Sequence, residues 1–188
     1  MSPEVKQLFN NLQELYRTLR EKTYAKYNRM NPTYEELFDF KEKGKFWTGK
    51  NNVTIYNSAT VSGKVKIGEN TWIGPFCSLD GSGGLTIGRY CSISLGCQIL
   101  THDTVSWSLS GGKVSHQRKP SYIGDNCFIG TYSIVTKGVK IGNHCLIGAN
   151  SLVNKDIPDN SIAFGTPAKV VGKVIITKNG QVKLCYEK

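Results

Sequence analysis

One periodicity constrains this chain more than anything else in it. Ile, Val or Leu recurs at every sixth residue through Ile55, Val61, Ile67, Ile73 and Leu79. The count slips by two, resumes at Ile87, Ile93 and Ile99, and runs again through Ile123, Ile129, Val135, Ile141, Ile147 and Val153. Every one of these slots is aliphatic, although only 41 of the 188 residues are Ile, Val or Leu. An α-helix repeats at 3.6 residues and a strand at 2, so neither gives a period of six. A coil built from short flat sides, with a sharp turn after each side, does. The aliphatic residue then points inward and the coils stack into one continuous core.

Two further slots share the rhythm. Glycine follows the aliphatic residue at Gly68, Gly74, Gly88, Gly124, Gly130, Gly142 and Gly148, which predicts that glycine supplies the unusual backbone of each corner. Four places after the aliphatic residue comes a small one, such as Ala59, Thr71, Ser133 or Ser151. Five of the six cysteines (Cys77, Cys91, Cys97, Cys127 and Cys145) occupy that slot, so the register makes them packing residues. No CxxC spacing points to a thiolate metal site, and Cys185 lies outside the repeat. The fold class expected is an all-β solenoid, a parallel β-helix over residues 51–172.

The rest of the chain decorates that solenoid. Residues 1–50 read as a helical segment. A helix is predicted over 3–28, with Val5, Leu8, Leu12, Leu15, Tyr16 and Leu19 as an apolar stripe that caps a larger body. A second helix is predicted over 33–42 and ends at Gly44. Residues 173–188 read as a β-hairpin turning at Asn179-Gly180. Between Ile99 and Ile123 the rhythm fails, giving a loop excursion over 103–122 that contains Trp107 and begins next to His102. A loop of that length in a compact domain is usually functional or disordered, and the tryptophan and two histidines in this stretch speak against disorder.

The composition excludes a disordered or membrane-spanning chain, because 39% of residues are hydrophobic and no apolar run reaches bilayer length. The first residues lack a secretory core, so a cytoplasmic protein is expected, without integral membrane contact. The net charge of +10 favours an anionic partner. No basic run of five or six residues marks a nucleic-acid tail, and no nucleic-acid partner is expected.

The stretch Ile123-Gly-Asp-Asn-Cys-Phe-Ile-Gly, then Gly138-Val-Lys-Ile-Gly, then Ile147-Gly-Ala-Asn-Ser-Leu-Val-Asn-Lys-Asp-Ile-Pro and Gly165-Thr-Pro-Ala-Lys resembles the hexapeptide-repeat acyltransferases. Among these it is most similar to bacterial sugar O-acetyltransferases and their xenobiotic-acetylating relatives. The resemblance implies a left-handed winding, which the usual right-handed crossover preference would not give. It also implies an acetyl-CoA-dependent O-acetyltransferase acting on a sugar or polysaccharide precursor, working as a homotrimer with each active site between neighbouring subunits. An N-acetyltransferase on an amino-sugar, an O-acetyltransferase on an antibiotic, and a scaffold without chemistry stay open beside it.

The same resemblance assigns residues. His102, in Ile-Leu-Thr-His-Asp, matches the family's catalytic histidine, and a neutral imidazole suits the removal of a hydroxyl proton near pH 7. Its alternative is a surface histidine at the start of a loop. For coenzyme A the implied contacts are Phe128, Gly130 and Thr131 along the pantetheine arm, then Gly148 and Ala149 as backbone hydrogen-bonding partners. Asn154 and Lys155 follow, with Pro167 and Lys169 at the adenine and its phosphate. Many relatives hold the acceptor with an Asn where this chain has Gly74. Trp72, Asp80, Asp103 and the Gly81-Ser-Gly-Gly slip become the candidates for that pocket. Asp80 or Asp103 is expected to orient the imidazole, unless each is a simple turn residue. Lys137 and Lys140 read as solvated, His144 as a surface residue and His116 as a loop residue. No metal site is expected, because the three histidines lie in dissimilar contexts.

Overall fold

The computed structural model describes residues 1–187; Lys188, the last residue of the expected hairpin segment, lies outside the described residues. The hexads form a parallel β-solenoid, consistent with the left-handed β-helix implied above. A full turn takes three hexads, so partners in neighbouring coils lie 18 residues apart, as Ile129 and Ile147 do. The inward column of the first face is Ile55, Ile73, Ile93, Ile129, Ile147 and Ala163. That of the second face is Val61, Leu79, Ile99, Val135 and Val153. That of the third face is Ile67, Ile87, Ile123, Ile141 and Ile157. Most of these side chains are buried to within a few per cent, and the five repeat cysteines lie among them. Each fully buried aliphatic side chain is worth about 1.5–3 kcal/mol, so stability grows coil by coil.

The corners differ from the sequence expectation. The glycine after each aliphatic residue does not supply a left-handed backbone. That conformation falls two residues later, at Asn70, Phe76, Tyr90, Gly96, Asn126, Tyr132, Gly138, His144, Asn150 and Asn160. The glycines are there because the next coil passes directly over them. A Cβ on Gly68 would lie 2.4 Å from Arg89 N, and one on Gly130 would lie 2.5 Å from Ala149 N. Asparagine tolerates the left-handed region best among residues with a side chain, which explains its recurrence three places after the aliphatic residue.

The open first coil is closed by helices α2 (Thr33–Glu36) and α3 (Phe40–Thr48), not by one helix over 33–42. Glu35 accepts the N–H groups of Asn57 (2.9 Å) and Ser58 (2.6 Å), and the Lys43 ammonium donates to the Tyr56, Asn57 and Ala59 carbonyls. Gly44 does not stop a helix; it sits inside α3, where a Cβ would overlap the Val53 carbonyl of the first coil. The long helix α1 (Pro3–Tyr27) buries none of its residues, so its apolar stripe does not cap the solenoid within one chain. At the far end the strands Ala168–Ile176 and Val182–Tyr186 form an antiparallel hairpin that extends the first face.

The corner between the second and third faces is enlarged in two consecutive coils. The two-residue slip is part of one continuous strand, Ser78–Ile87, that crosses the corner. One coil later the excursion leaves through the same corner after Leu100 and returns at Ser121. Its base is a short antiparallel pair, His102–Asp103 with Gln117–Arg118, and its tip holds a single-turn helix, α4 (Val105–Leu109). The Ser121 hydroxyl bonds the Leu100 carbonyl (2.9 Å) and receives the Gly138 N–H (3.1 Å), which pins the neck.

Candidate active site

The enlarged corner brings one histidine and one carboxylate together. His102 Nδ1 lies 2.7 Å from Asp80 Oδ2, and the Ser82 hydroxyl is 3.0 Å from the same nitrogen. The Asp80 side chain is 10% exposed and that of His102 40%, so the acid is enclosed and the imidazole is open. Both Asp80 oxygens are occupied. Oδ1 accepts the Ser82 N–H (2.9 Å), and Oδ2 accepts the Thr101 N–H (2.8 Å) and hydroxyl (3.0 Å) beside the imidazole. Burial works to raise the Asp80 carboxyl. The hydrogen bonds from the Ser82 N–H, His102, the Thr101 N–H and the Ser82 hydroxyl outweigh it and hold the group below the usual carboxylate range.

An ionised Asp80 selects the imidazole tautomer with hydrogen on Nδ1, which leaves Nε2 as the acceptor. No hydrogen bond among the described residues uses Nε2. The Asp80 bonds thus go to the imidazole and the excursion base, with Oδ2 the more heavily used oxygen and Oδ1 holding the Ser82 N–H. Asp103 does not orient His102. It forms an ion pair with Lys137 and accepts the Val105 N–H at 3.1 Å. Lys137 is accordingly not solvated, its side chain being 19% exposed.

Thr101 has no sequence pattern of its own, and it holds the cluster together. Fully buried, it shares its one hydroxyl proton between the Asp80 carbonyl (2.9 Å) and Oδ2 (3.0 Å), receives the Gly83 N–H (2.8 Å), and accepts the Lys119 N–H on its own carbonyl (2.9 Å). Gly83 has no room for a side chain, because a Cβ would lie 2.4 Å from the Thr101 carbonyl. The signal for this contact was the Gly81-Ser-Gly-Gly slip itself, a small-residue corner that admits the next coil's loop.

The remaining sequence candidates fall on two corners and one face. Gly130, Thr131, Gly148 and Ala149 stack at the corner between the first and second faces, and the Gly165–Lys169 turn crosses it, with the Thr166 hydroxyl on the Asn150 carbonyl (3.1 Å). Gly148 cannot donate outward, since its N–H is spent on the Ala163 carbonyl (2.9 Å); Gly130 likewise donates to Ile147 (2.8 Å). The Ala149 N–H donates to no protein group among the described residues. Asn154 and Lys155 lie exposed at the other corner of the second face, the one that carries His102, while Pro167 and Lys169 are exposed on the turn. Phe128 stands outward on the first face. It lines a groove of about 410 Å³ with His144, Leu146 and the hairpin residues Val174, Ile176, Val182 and Leu184.

Trp72 is not brought to His102 within one chain. It stands outward on the first face, and its ring meets Tyr56 edge-on at 5.5 Å. Tyr56 in turn stacks on Phe40 of α3 at 5.2 Å, so Trp72 anchors the helical cap. His116 packs edge-on against Trp107 in the excursion, at 5.5 Å. The described residues contain no group of three or more His, Cys, Asp or Glu side chains arranged to hold a metal ion.

A hexad solenoid with one oriented imidazole at a widened corner is the arrangement that the comparisons with known proteins echo. Residues 120–155 match the bacterial transferase hexapeptide family, six repeats. Among characterised proteins it is 31% identical to the galactoside O-acetyltransferase of Escherichia coli (strain K12) over 57% of this chain and 63% of that protein. It is 41% identical to the protein CapG of Staphylococcus aureus over 48% of this chain and 53% of that protein. The matched region thus spans less than two thirds of either relative.

Solved structures agree in fold. AntD, an N-acyltransferase from Bacillus cereus in complex with dTDP and 3-hydroxybutyryl-CoA, superposes with a TM-score of 0.57 at 25% identity, covering 64% of this chain and 68% of that one. A hexapeptide-repeat acetyltransferase from Vibrio cholerae has a TM-score of 0.57 at 21% identity and covers 92% of this chain and 93% of its own, a likeness of fold.

Proposed function

We propose that this chain is an acetyl-CoA-dependent O-acetyltransferase that acetylates a hydroxyl of a sugar or polysaccharide precursor, with His102 as general base. The observation that carries the reading is the Asp80–His102 pair: a buried, ionised carboxylate on Nδ1 and an open Nε2. In this reading Nε2 takes the acceptor's hydroxyl proton as its oxygen attacks the thioester carbonyl, for which acetyl-CoA, a co-substrate, supplies the acyl group. Asp80 stabilises the imidazolium that forms, and the imidazolium returns the proton to the departing thiolate. The C–O bond forms, the C–S bond breaks, and one proton moves from hydroxyl to sulfur.

The second face is the natural wall for coenzyme A. The free Ala149 N–H lies at one of its corners, and His102, Asn154 and Lys155 lie at the other. Phe128, Gly130, Thr131, Pro167 and Lys169 continue the track. The glycine stack there keeps the corner low, because side chains cannot be accommodated between coils. We place the working unit as a homotrimer, with the exposed excursion tip (Trp107, Leu109, Val114) reaching a neighbour, and the protein in the cytoplasm, where its six free cysteines remain reduced. No helix among the described residues is long and apolar enough to cross a membrane.

A second reading, N-acyl transfer to an amino-sugar, is favoured by the likeness to AntD, one of whose structures holds dTDP-4-amino-4,6-dideoxyglucose and coenzyme A (TM-score 0.59, 26% identity). Both readings use the same base. Thiol release from acetyl-CoA against a panel of sugars, amino-sugars and nucleotide-sugars, with product analysis, separates them. Acceptor-dependent release yielding an ester is expected; an amide product selects the second reading. No release with any acceptor, together with no thermal stabilisation by acetyl-CoA, would leave a scaffold without chemistry.

A further inference from the structure

We propose that the N-terminal half of α1 forms a parallel coiled coil with the α1 helices of other copies of this chain. The inference does not rest on the acetyl-transfer reading, only on the association of copies proposed with it. At about 1.5 Å per residue the 25-residue helix is about 37 Å long, and none of its residues is buried. Its C-terminal end is tied to the cap: the Tyr27 hydroxyl donates to Asp39 (2.9 Å) and the Tyr27 ring packs on Phe40 (5.5 Å). Ahead of that anchor, Val5, Leu8, Leu12 and Leu15 are 43–69% exposed. An apolar face of that extent would not remain in water without a partner.

The spacing says what the partner is. Val5, Leu8, Leu12, Leu15 and Leu19 alternate steps of three and four, the a/d pattern of a coiled-coil seam, with Val5, Leu12 and Leu19 at a and Leu8 and Leu15 at d. Leu19 is half-buried and already lines the cleft against the chain's own cap, and the next seam positions are Lys22 and Lys26, so the free part of the seam lies ahead of that contact. No other helix among the described residues exceeds nine residues, so the covering helix comes from outside the chain.

Charge favours a copy over a foreign partner. The flanking e and g positions, which set partner choice, hold Glu4, Phe9, Asn11, Tyr16 and Thr18, and only the first of these is charged. Lys6, Arg17 and Arg20 fall on the outer b and f positions. In-register self-pairing meets no like-charge repulsion, and nothing at the seam selects an oppositely charged helix. A seam of little more than two heptads is marginal alone, but solenoids that already associate would hold the helices at high effective concentration.

The test uses the whole chain with Cys185→Ser, since the other five cysteines are buried. Single cysteines are placed on the seam (Leu8→Cys, Leu15→Cys) and on the outer face (Asn10→Cys, Arg17→Cys), and disulfide formation between copies under mild oxidation is followed on non-reducing gels. Because paired seam residues share a high effective concentration, cross-linking at both seam positions is expected to be roughly tenfold or more faster than at the outer ones. All four variants alter exposed positions, and an unchanged thermal midpoint verifies that each is folded. Equal rates at seam and outer positions, or no cross-linking at the seam, overturn the proposal. So does a blue-shifted dye signal at Leu8→Cys that appears only with anionic phospholipid vesicles, which would make the face a lipid contact.

Discussion

His102→Ala is expected to lower kcat for acetyl transfer by about 10²–10⁴-fold, the usual contribution of a positioned general base. Binding of acetyl-CoA should change little, because the imidazole serves the proton and not the cofactor's phosphates. Steady-state kinetics with a verified acceptor, and thermal shift with acetyl-CoA, separate the two quantities. Turnover within a fewfold of wild type would remove His102 from the chemistry whatever the fold. The neighbouring Asp80, Ser82 and Thr101 keep their mutual bonds in the variant, so loss of folding is not expected to confuse the result.

Asp80→Asn tests the orientation of the imidazole. The amide keeps the volume of the carboxylate but not its charge, and it no longer selects the tautomer that leaves Nε2 free. A fall in kcat of about 10²-fold or more is expected, with acceptor KM nearly unchanged, since the carboxylate acts through the imidazole. Asp80→Glu should recover part of the loss. A raised KM with intact kcat would instead make Asp80 an acceptor contact, as the sequence allowed.

The same variant has a stability signature. The carboxyl of Asp80 is depressed in the folded protein, so its contribution is present above the ordinary carboxylate range and is lost as pH falls through that range toward the folded value. Wild type is expected to exceed Asp80→Asn by about 1–3 kcal/mol near neutrality, the cost of weakening buried hydrogen bonds to a charge. That margin should shrink on acidification. A margin independent of pH in denaturant titrations would contradict the ionised, hydrogen-bonded state of Asp80.

The columns of the core were legible because each inward position is fixed by a single spacing. Ile55, Leu79 and Ile147 could be placed without coordinates, and so could Cys97 and Cys127. What failed was the reason for the glycines. Spacing records that a residue must be small, but not whether the demand comes from its own φ or from the coil above, and at Gly68 and Gly130 it comes from the coil above. Gly44 misled in the same way inside α3. His102 stood out because the repeat breaks beside it.

Its partner did not stand out. Asp80 and Asp103 are equal candidates along the chain, and only the stacking of consecutive coils sets Asp80 beneath the imidazole while Lys137 draws Asp103 away. Thr101 was silent because a threonine that joins two loops has no pattern of its own. Trp72 and the stripe of α1 show the limit of reading a single face. An exposed aromatic or apolar row announces a contact, and its partner lies elsewhere in the chain or in another copy.

The most direct test is a crystal structure of the protein with coenzyme A. The thiol is expected within hydrogen-bonding reach of His102, at the corner where the excursion leaves the solenoid, with the remainder of the molecule along the second face toward Lys155 and the Gly165–Lys169 turn. Coenzyme A held on another face, with its sulfur remote from that imidazole, would contradict the account.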